Sequence, residues 1–254
     1  MSDEETLVAE AVRAQAPLDS RPAEKKLEWF EVSLVVLVAF SNSFIGSIAL
    51  LFGGRNAAGP NSNARWLGAS IHELLCLALL GYVLSRRRLR FRDLGLNWSL
   101  GGVWRGFVVA AVAYGFAMIG GYILHQLHNI LHSFSSGGVT AFEAFGSPTA
   151  LFISFSFLNP FFEELIVRAY LMSEIRSLTG SWSLAVIVSV AVQTSYHLYY
   201  GVEQALGLGF LFLVFAIYYA RTRKALPIIV AHGIFDLLAL VPLLQAAHRA
   251  ALSH

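Results

Sequence analysis

Six ionisable residues in the second half of the chain lie inside otherwise apolar runs. Glu163, Glu164 and Arg168 occur in the string N-P-F-F-E-E-L-I-V-R-A-Y, His197 follows one run later, and His232 and Asp236 stand in A-H-G-I-F-D. An ionisable group within a bilayer costs about 2.5–3.5 kcal/mol on insertion scales, so each needs a reason to be there. On a helix, Glu164 and Arg168 are four apart, share a face and can pair, which lowers the cost of burying either charge. Glu163 lies about 100° round the helix from Glu164, out of easy reach of Arg168, and is the carboxylate left free for chemistry. His232 and Asp236, again four apart, share a face. A carboxylate, an imidazole, and an imidazole with an Asx side chain can together activate water and stabilise an oxyanion, the minimum for amide hydrolysis. The same residues could equally form a buried polar network that holds helices together, with Glu164–Arg168 as its strut. Residue chemistry alone leaves both readings open.

The elements that must position these groups are membrane spans. Of 254 residues, 56% are hydrophobic and only 13% charged, with a mean hydropathy of +0.62. An ordinary soluble domain carries about 25% charged residues, and a disordered chain needs low hydrophobicity. A net charge of +2 provides no basic field for nucleic acid. The expected fold class is all-α: a polytopic transmembrane helical bundle of about seven, at most eight, spans. A span needs roughly 20 mostly apolar residues, and the stretches that qualify are 29–52, 66–84, 103–124, 149–171, 182–200, 206–220 and 226–244. An eighth would fit best near 137–145, which is too short and glycine-rich to cross alone. Residues 1–28 hold seven acidic and four basic residues, and are expected to form a solvated, disordered cytoplasmic tail ahead of one membrane domain at 29–247. With the N-terminus cytoplasmic, 13 of the 18 lysines and arginines fall inside, as the positive-inside rule requires.

The order E-E-x-x-x-R, a histidine one span later and H-x-x-x-D near the end resembles the CPBP family, the CAAX prenyl endopeptidase and bacteriocin-processing (Abi) intramembrane proteases. Asn159-Pro160, Ala169-Tyr170, Pro227 and the D-L-G-L string at 93–96 add to the resemblance, whose core covers 147–244. It implies an endopeptidase cutting near the membrane surface. Glu163 would be the general base, His197 would help it activate water, Glu164 and Arg168 would orient the site, and His232 and Asp236 would be the oxyanion pair. Two positions depart from the family's pattern. Gln193 stands where the second motif usually has Phe, adding donors that could bind substrate or disturb packing. Asp236 replaces the commoner Asn; an ionised Asp cannot donate to an oxyanion, so it must be protonated or serve to orient His232.

Glu163, His197, His232 and Asp236 are also plausible Zn²⁺ ligands, although no H-E-x-x-H is present; His72-Glu73 is followed by Leu74, Leu75 and Cys76. Metal-independent hydrolysis is the favoured expectation, with no cofactor. The expected partners are membrane lipids and a membrane-associated protein or peptide substrate, in a bacterial plasma membrane. A peptide precursor, a bacteriocin-related peptide or a surface protein awaiting trimming of its sorting signal would each fit.

The remaining polar residues have plainer expectations. His125, His128 and His132 form one helical stripe, read as an interfacial polar face. His72 and Glu73 are expected to find water or a neighbouring helix at the outer start of the second span, Asn42 an interhelical hydrogen bond, and Glu203 solvent. The arginines in 85–96 would lie on anionic headgroups. Gly120-Gly121 and Gly207/Gly209 should allow close helix contact. Straight helices pose a problem of depth. They put His197 about 22 Å and His232 about 9 Å from the cytoplasmic end, so the fifth span is expected to begin later, near Val188, with 181–187 outside the hydrocarbon.

Overall fold

Within hydrocarbon a backbone has no water to bond, so each apolar run must satisfy its own N–H and C=O groups as a helix. The computed structural model describes residues 20–53, 63–131 and 149–252, and these are helical nearly throughout. In chain order, α1 spans Ser20–Gly53, α2 Asn63–Arg86 and α3 Leu100–Leu131, with a 3₁₀ turn at Phe91–Leu94 between α2 and α3. A long rod follows: α4 (Ala150–Glu163), a π-helical segment (Glu164–Tyr170) and α5 (Leu171–Thr179). Then come α6 (Trp182–Ser195), a 3₁₀ turn at Leu198–Tyr200, α7 (Val202–Thr222) and α8 (Ala225–Leu252).

Six helices among the described residues are long and apolar enough to cross a bilayer: Lys25–Phe52, Asn63–Arg86, Leu100–Ile130, Ala150–Thr179, Val202–Thr222 and Ala225–Gln245. The polytopic helical bundle stands, but the fifth expected span is shorter than read. α6 has 14 residues, about 21 Å at 1.5 Å per residue, against roughly 30 Å of hydrocarbon. Apolar composition continues to Tyr200, but the helical ladder stops at Ser195, where the chain turns and leaves through Gly201 at φ 94°. Ser47 of α1 takes up that end: its Oγ donates to the Ser195 carbonyl at 3.4 Å and accepts the Tyr199 N–H at 2.9 Å. α1 begins at Ser20, nine residues ahead of the first expected span, so the end of the charged tail is helical. The candidate eighth span and His132 lie outside the described residues.

Burial separates the centre of the bundle from its rim. Half of the apolar core of the 150–179 rod is buried, against 22% in α1 and α3, which present large side chains such as Leu100, Phe116 and Ile119 outward. α3 packs on α7 and α8, and glycines permit the approach. A Cβ at Gly106 would stand 2.6 Å from the Val230 side chain, and one at Gly120 would overlap Phe210. Gly95 of the D-L-G-L string has φ +90°, and a Cβ there would overlap the Arg223 carbonyl. Its own carbonyl accepts the Ala225 N–H at 3.0 Å, tying the 3₁₀ turn to the start of α8.

Several polar residues are placed otherwise than expected. Arg87 does not lie free on the surface: it bridges Glu31 of α1 (2.5 Å) and Glu174 of α5 (2.6 Å). Burial opposes its charge, but the bonds from Glu31 and Glu174 outweigh that and raise the Arg87 pKa further. Glu203 is not merely solvated, since His125 and His128 approach it at 3.5 and 3.9 Å. Asn42 faces outward, and the side chain of α1 that bonds across to a neighbouring segment is Ser47 instead.

Candidate active site

The two glutamates sit where the rod changes its winding. Pro160 lies inside α4 and lacks the N–H that would continue the ladder, and from Glu164 the chain winds as a π-helix for seven residues. Such segments widen a helix and recur at functional sites. The widened turn presents carbonyls that take side-chain donors from its neighbours. Ser189 of α6 donates to the Val167 carbonyl at 3.0 Å, while Ser173 and Tyr219 of α7 donate to that of Ala169.

Glu164 and Arg168, both wholly buried, face each other as the spacing predicted, with Nε 3.7 Å from Oε2. Arg168 also donates to the Phe212 carbonyl at 3.4 Å and lies over the Phe212 ring. The other oxygen of Glu164 accepts from His232 Nδ1 at 2.8 Å. One carboxylate therefore ties the π segment to α8, and it is Glu164 that orients His232. Asp236, expected either as a protonated donor or as the group that orients His232, stands 3.6 Å from His232 Nε2, beyond a good hydrogen bond. His232 Nε2 faces the gap between Asp236 and Glu163, 4.0 Å from Glu163 Oε2.

Glu163 has a different environment. Its Oε2 accepts from Gln193 Nε2 at 2.6 Å and from the Tyr196 hydroxyl at 2.7 Å. Oε1 has no hydrogen-bond partner among the described residues. Gln193, the departure from the family's usual Phe, thus holds the glutamate directly. Tyr196 was missed in the sequence, although its position three residues after Gln193 places the two on one helix face. It is buried and stacked on Phe40, with ring centroids 4.8 Å apart. His197 comes next in the turn; its Nδ1 donates to the Gln193 carbonyl at 2.8 Å, leaving Nε2 free, and the ring acts electrostatically on Glu163.

The depths are reconciled by stagger: α6 is helical from Trp182, so residues 181–187, expected outside the hydrocarbon, include its first turns. His197 lies about 22 Å along from that start and His232 about 10 Å from the start of α8. Their convergence on Glu163 means that α6 begins about 12 Å further out than α8. The rod allows this: Glu163 is about 24 Å from its end at Thr179, and α5 and α6 pack as a hairpin.

A zinc site needs at least three protein ligands. Among the described residues no three His, Cys, Asp or Glu side chains are grouped to hold a metal ion. His232 and His197 are each bonded through Nδ1, to Glu164 and to the Gln193 carbonyl, which leaves Nε2 as the nitrogen available to a ligand.

Glu73 of α2, expected to find water or a neighbouring helix, is 3% exposed, and its Oε2 has no hydrogen-bond partner. Its neighbour His72 is satisfied by the Ala39 carbonyl at 3.1 Å.

Residues 145–238 match the family model described as Type II CAAX prenyl endopeptidase Rce1-like. The matched segment contains Glu163, Glu164, Arg168, His197, His232 and Asp236, in agreement with the resemblance read from their order. No curated protein and no solved structure matches the chain.

Proposed function

We propose that this CAAX-type intramembrane protease hydrolyses a peptide bond of a membrane-associated protein or peptide near the membrane surface, with Glu163 as general base and without a metal. The observation that carries the reading is the asymmetry of Glu163: one oxygen is held by two neutral donors, with His232 Nε2 4.0 Å from it, and the other has no hydrogen-bond partner among the described residues. A water at Oε1, oriented by the free Nε2 of His197, gives its proton to Glu163 as its oxygen bonds to the scissile carbonyl carbon. His232, held through Nδ1 by Glu164, presents Nε2–H to the oxyanion when both ring nitrogens carry protons. Arg168 keeps Glu164 in place. Asp236, 3.6 Å from His232 Nε2, lines the same gap. The protein sits in a bacterial plasma membrane with its N-terminus cytoplasmic, the orientation that puts most arginines and lysines inside.

The test compares protein termini in membranes carrying the wild type and Glu163→Gln at matched expression. New termini are expected only with the wild type, unchanged by a chelator. Identical termini, with the variant still supporting the phenotype lost on deletion, would establish a non-catalytic membrane scaffold or immunity protein that keeps the motif as a polar network. Loss of the termini on chelation, with recovery on adding zinc, would instead establish a metalloprotease.

A further inference from the structure

We infer that Ser47, on α1 and outside the matched segment, is a positioning residue for the hydrolysis: it holds the turn that carries Tyr196 and His197 against Glu163. The inference rests on the reading of Glu163 as the base and deepens it. Tyr196 donates to Glu163 Oε2 at 2.7 Å, and His197 follows it in the chain. Neither lies on a regular helix, because the ladder of α6 ends at Ser195. A group on a turn is placed less firmly than one on a helix unless another element fixes the turn.

One face of α1 does the fixing. Ser47 is buried; its Oγ accepts the Tyr199 N–H at 2.9 Å and donates to the Ser195 carbonyl at 3.4 Å. A single hydroxyl thus bridges the two ends of the segment 195–199, with Tyr196 and His197 between them. Phe40, Phe44 and Ser47 stand at i, i+4 and i+7, on one side of the helix. The two rings hold that of Tyr196: Phe40 stacks on it at 4.8 Å, and Phe44 meets it edge-on at 5.9 Å. Phe40 also packs on Phe162, with ring centroids 5.0 Å apart. The same face of α1 therefore touches the residue that donates to Glu163 and the residue that precedes Glu163.

The turn's own bonds cannot replace this. The His197 N–H donates to the Thr194 carbonyl and the Tyr200 N–H to that of His197, each at 3.1 Å. These bonds curve the turn but stay within it and the end of α6. The aromatic contacts fix where the Tyr196 ring lies, whereas the Ser47 hydroxyl fixes the backbone that carries both side chains. Without Oγ the Tyr199 N–H loses its acceptor, and a backbone N–H shielded from water regains one by shifting. That shift moves Tyr196 and His197 together, away from the oxygen and the water they serve. Misplacement by about 1 Å can cost on the order of 100-fold in rate.

The experiment combines a double-variant cycle with hydrogen exchange, in detergent micelles, with an S-farnesyl CAAX peptide as the probe. Ser47→Ala is expected to lower kcat about 10- to 100-fold and to leave KM nearly unchanged, since it disturbs groups that act in the transition state. In a Tyr196→Phe or a His197→Ala background the same change should cost several-fold less, because one of the groups it positions is already gone. A loss of folded protein would lower the rate by the same factor in every background, so equal factors would make Ser47 structural and overturn the inference. Unchanged kcat in Ser47→Ala overturns it as well. Exchange in the segment 195–201 should quicken in Ser47→Ala while the rest of the bundle keeps its protection; no change there, or an increase throughout, also counts against it. Glu163→Gln is expected to abolish cleavage. If it does not, or if the wild type leaves the probe uncut, the reading of Glu163 fails, and the role of Ser47 in hydrolysis falls with it even where exchange shows that Ser47 holds the turn.

Discussion

The two adjacent glutamates occupy opposite kinds of surroundings. Glu164 is wholly buried, hydrogen-bonded by His232 through one oxygen and at ion-pair distance from Arg168 with the other, 3.7 Å away. Glu163 is anchored through a single oxygen by neutral groups, and its second oxygen has no hydrogen-bond partner among the described residues. A carboxylate paired with a cation gains stability by staying ionised and fixed. A carboxylate held by neutral donors keeps its place while retaining an oxygen that can take and release a proton. On the reading proposed above, one helix makes a strut and a reagent from identical neighbours, because adjacent side chains point about 100° apart around it and so meet different partners.

The sharpest break of this comparison is to neutralise each glutamate in turn. Glu163→Gln should cut the turnover of a cleavable peptide by about 10²–10⁴-fold with little change in thermal unfolding in detergent. Glu164→Gln should lower the unfolding temperature clearly, because Arg168 is left buried without its counter-ion. Equal effects of the two substitutions on rate and stability would erase the division of roles.

Next in size is the strut itself. Arg168→Leu leaves Glu164 with His232 alone and removes the cation over Phe212. Breaking a buried pair from one side costs about 3–5 kcal/mol, which should appear as a large fall in the denaturant midpoint. The double variant Arg168→Leu/Glu164→Leu should recover part of that loss, since no charge is then stranded. A double variant no better than the single would show that packing of the arginine, rather than its charge, dominates.

What the sequence disclosed and what it hid divide along the same line. Local features were readable: the spans from runs of about 20 apolar residues, and the Glu164–Arg168 pair from its four-residue spacing. Gly120 was rightly read as a point of close helix contact, and Gly95 in the D-L-G-L string proves to have a steric reason of its own. Contacts between distant segments were not readable. His232 is 68 residues from the Glu164 that orients it, and nothing in A-H-G-I-F-D distinguishes that partner from Asp236, four residues away on the same face. The fifth span was read too long because Tyr196–Tyr200 is apolar enough to continue a helix, while the break depends on Ser47 from another helix capping it. Glu73 was placed too near the outer end because the second span was read from Trp66, whereas the helix starts at Asn63 and leaves Glu73 near its middle, buried. Arg87 was misplaced for a related reason: an arginine in a basic loop looks solvated until Glu31 and Glu174 are brought beside it.

The smallest effects should come from the two neutral donors, and they sharpen the comparison most finely. Tyr196→Phe removes one hydrogen bond to a charged acceptor, worth about 1.5–3 kcal/mol, so the rate should fall roughly 10- to 100-fold while the Phe40 stack preserves the fold. Gln193→Leu removes the other donor and should slow turnover by a similar or smaller factor. Its effect on stability should differ in sign, because Gln193 Oε1 is buried with no partner. An unsatisfied buried amide oxygen costs about 1–3 kcal/mol, and leucine removes that cost along with the donor. The unfolding temperature of Gln193→Leu should therefore hold or rise as activity falls. A variant that loses both would mean that the amide is needed for packing around Glu163, and that position 193 belongs with the strut rather than with the reagent.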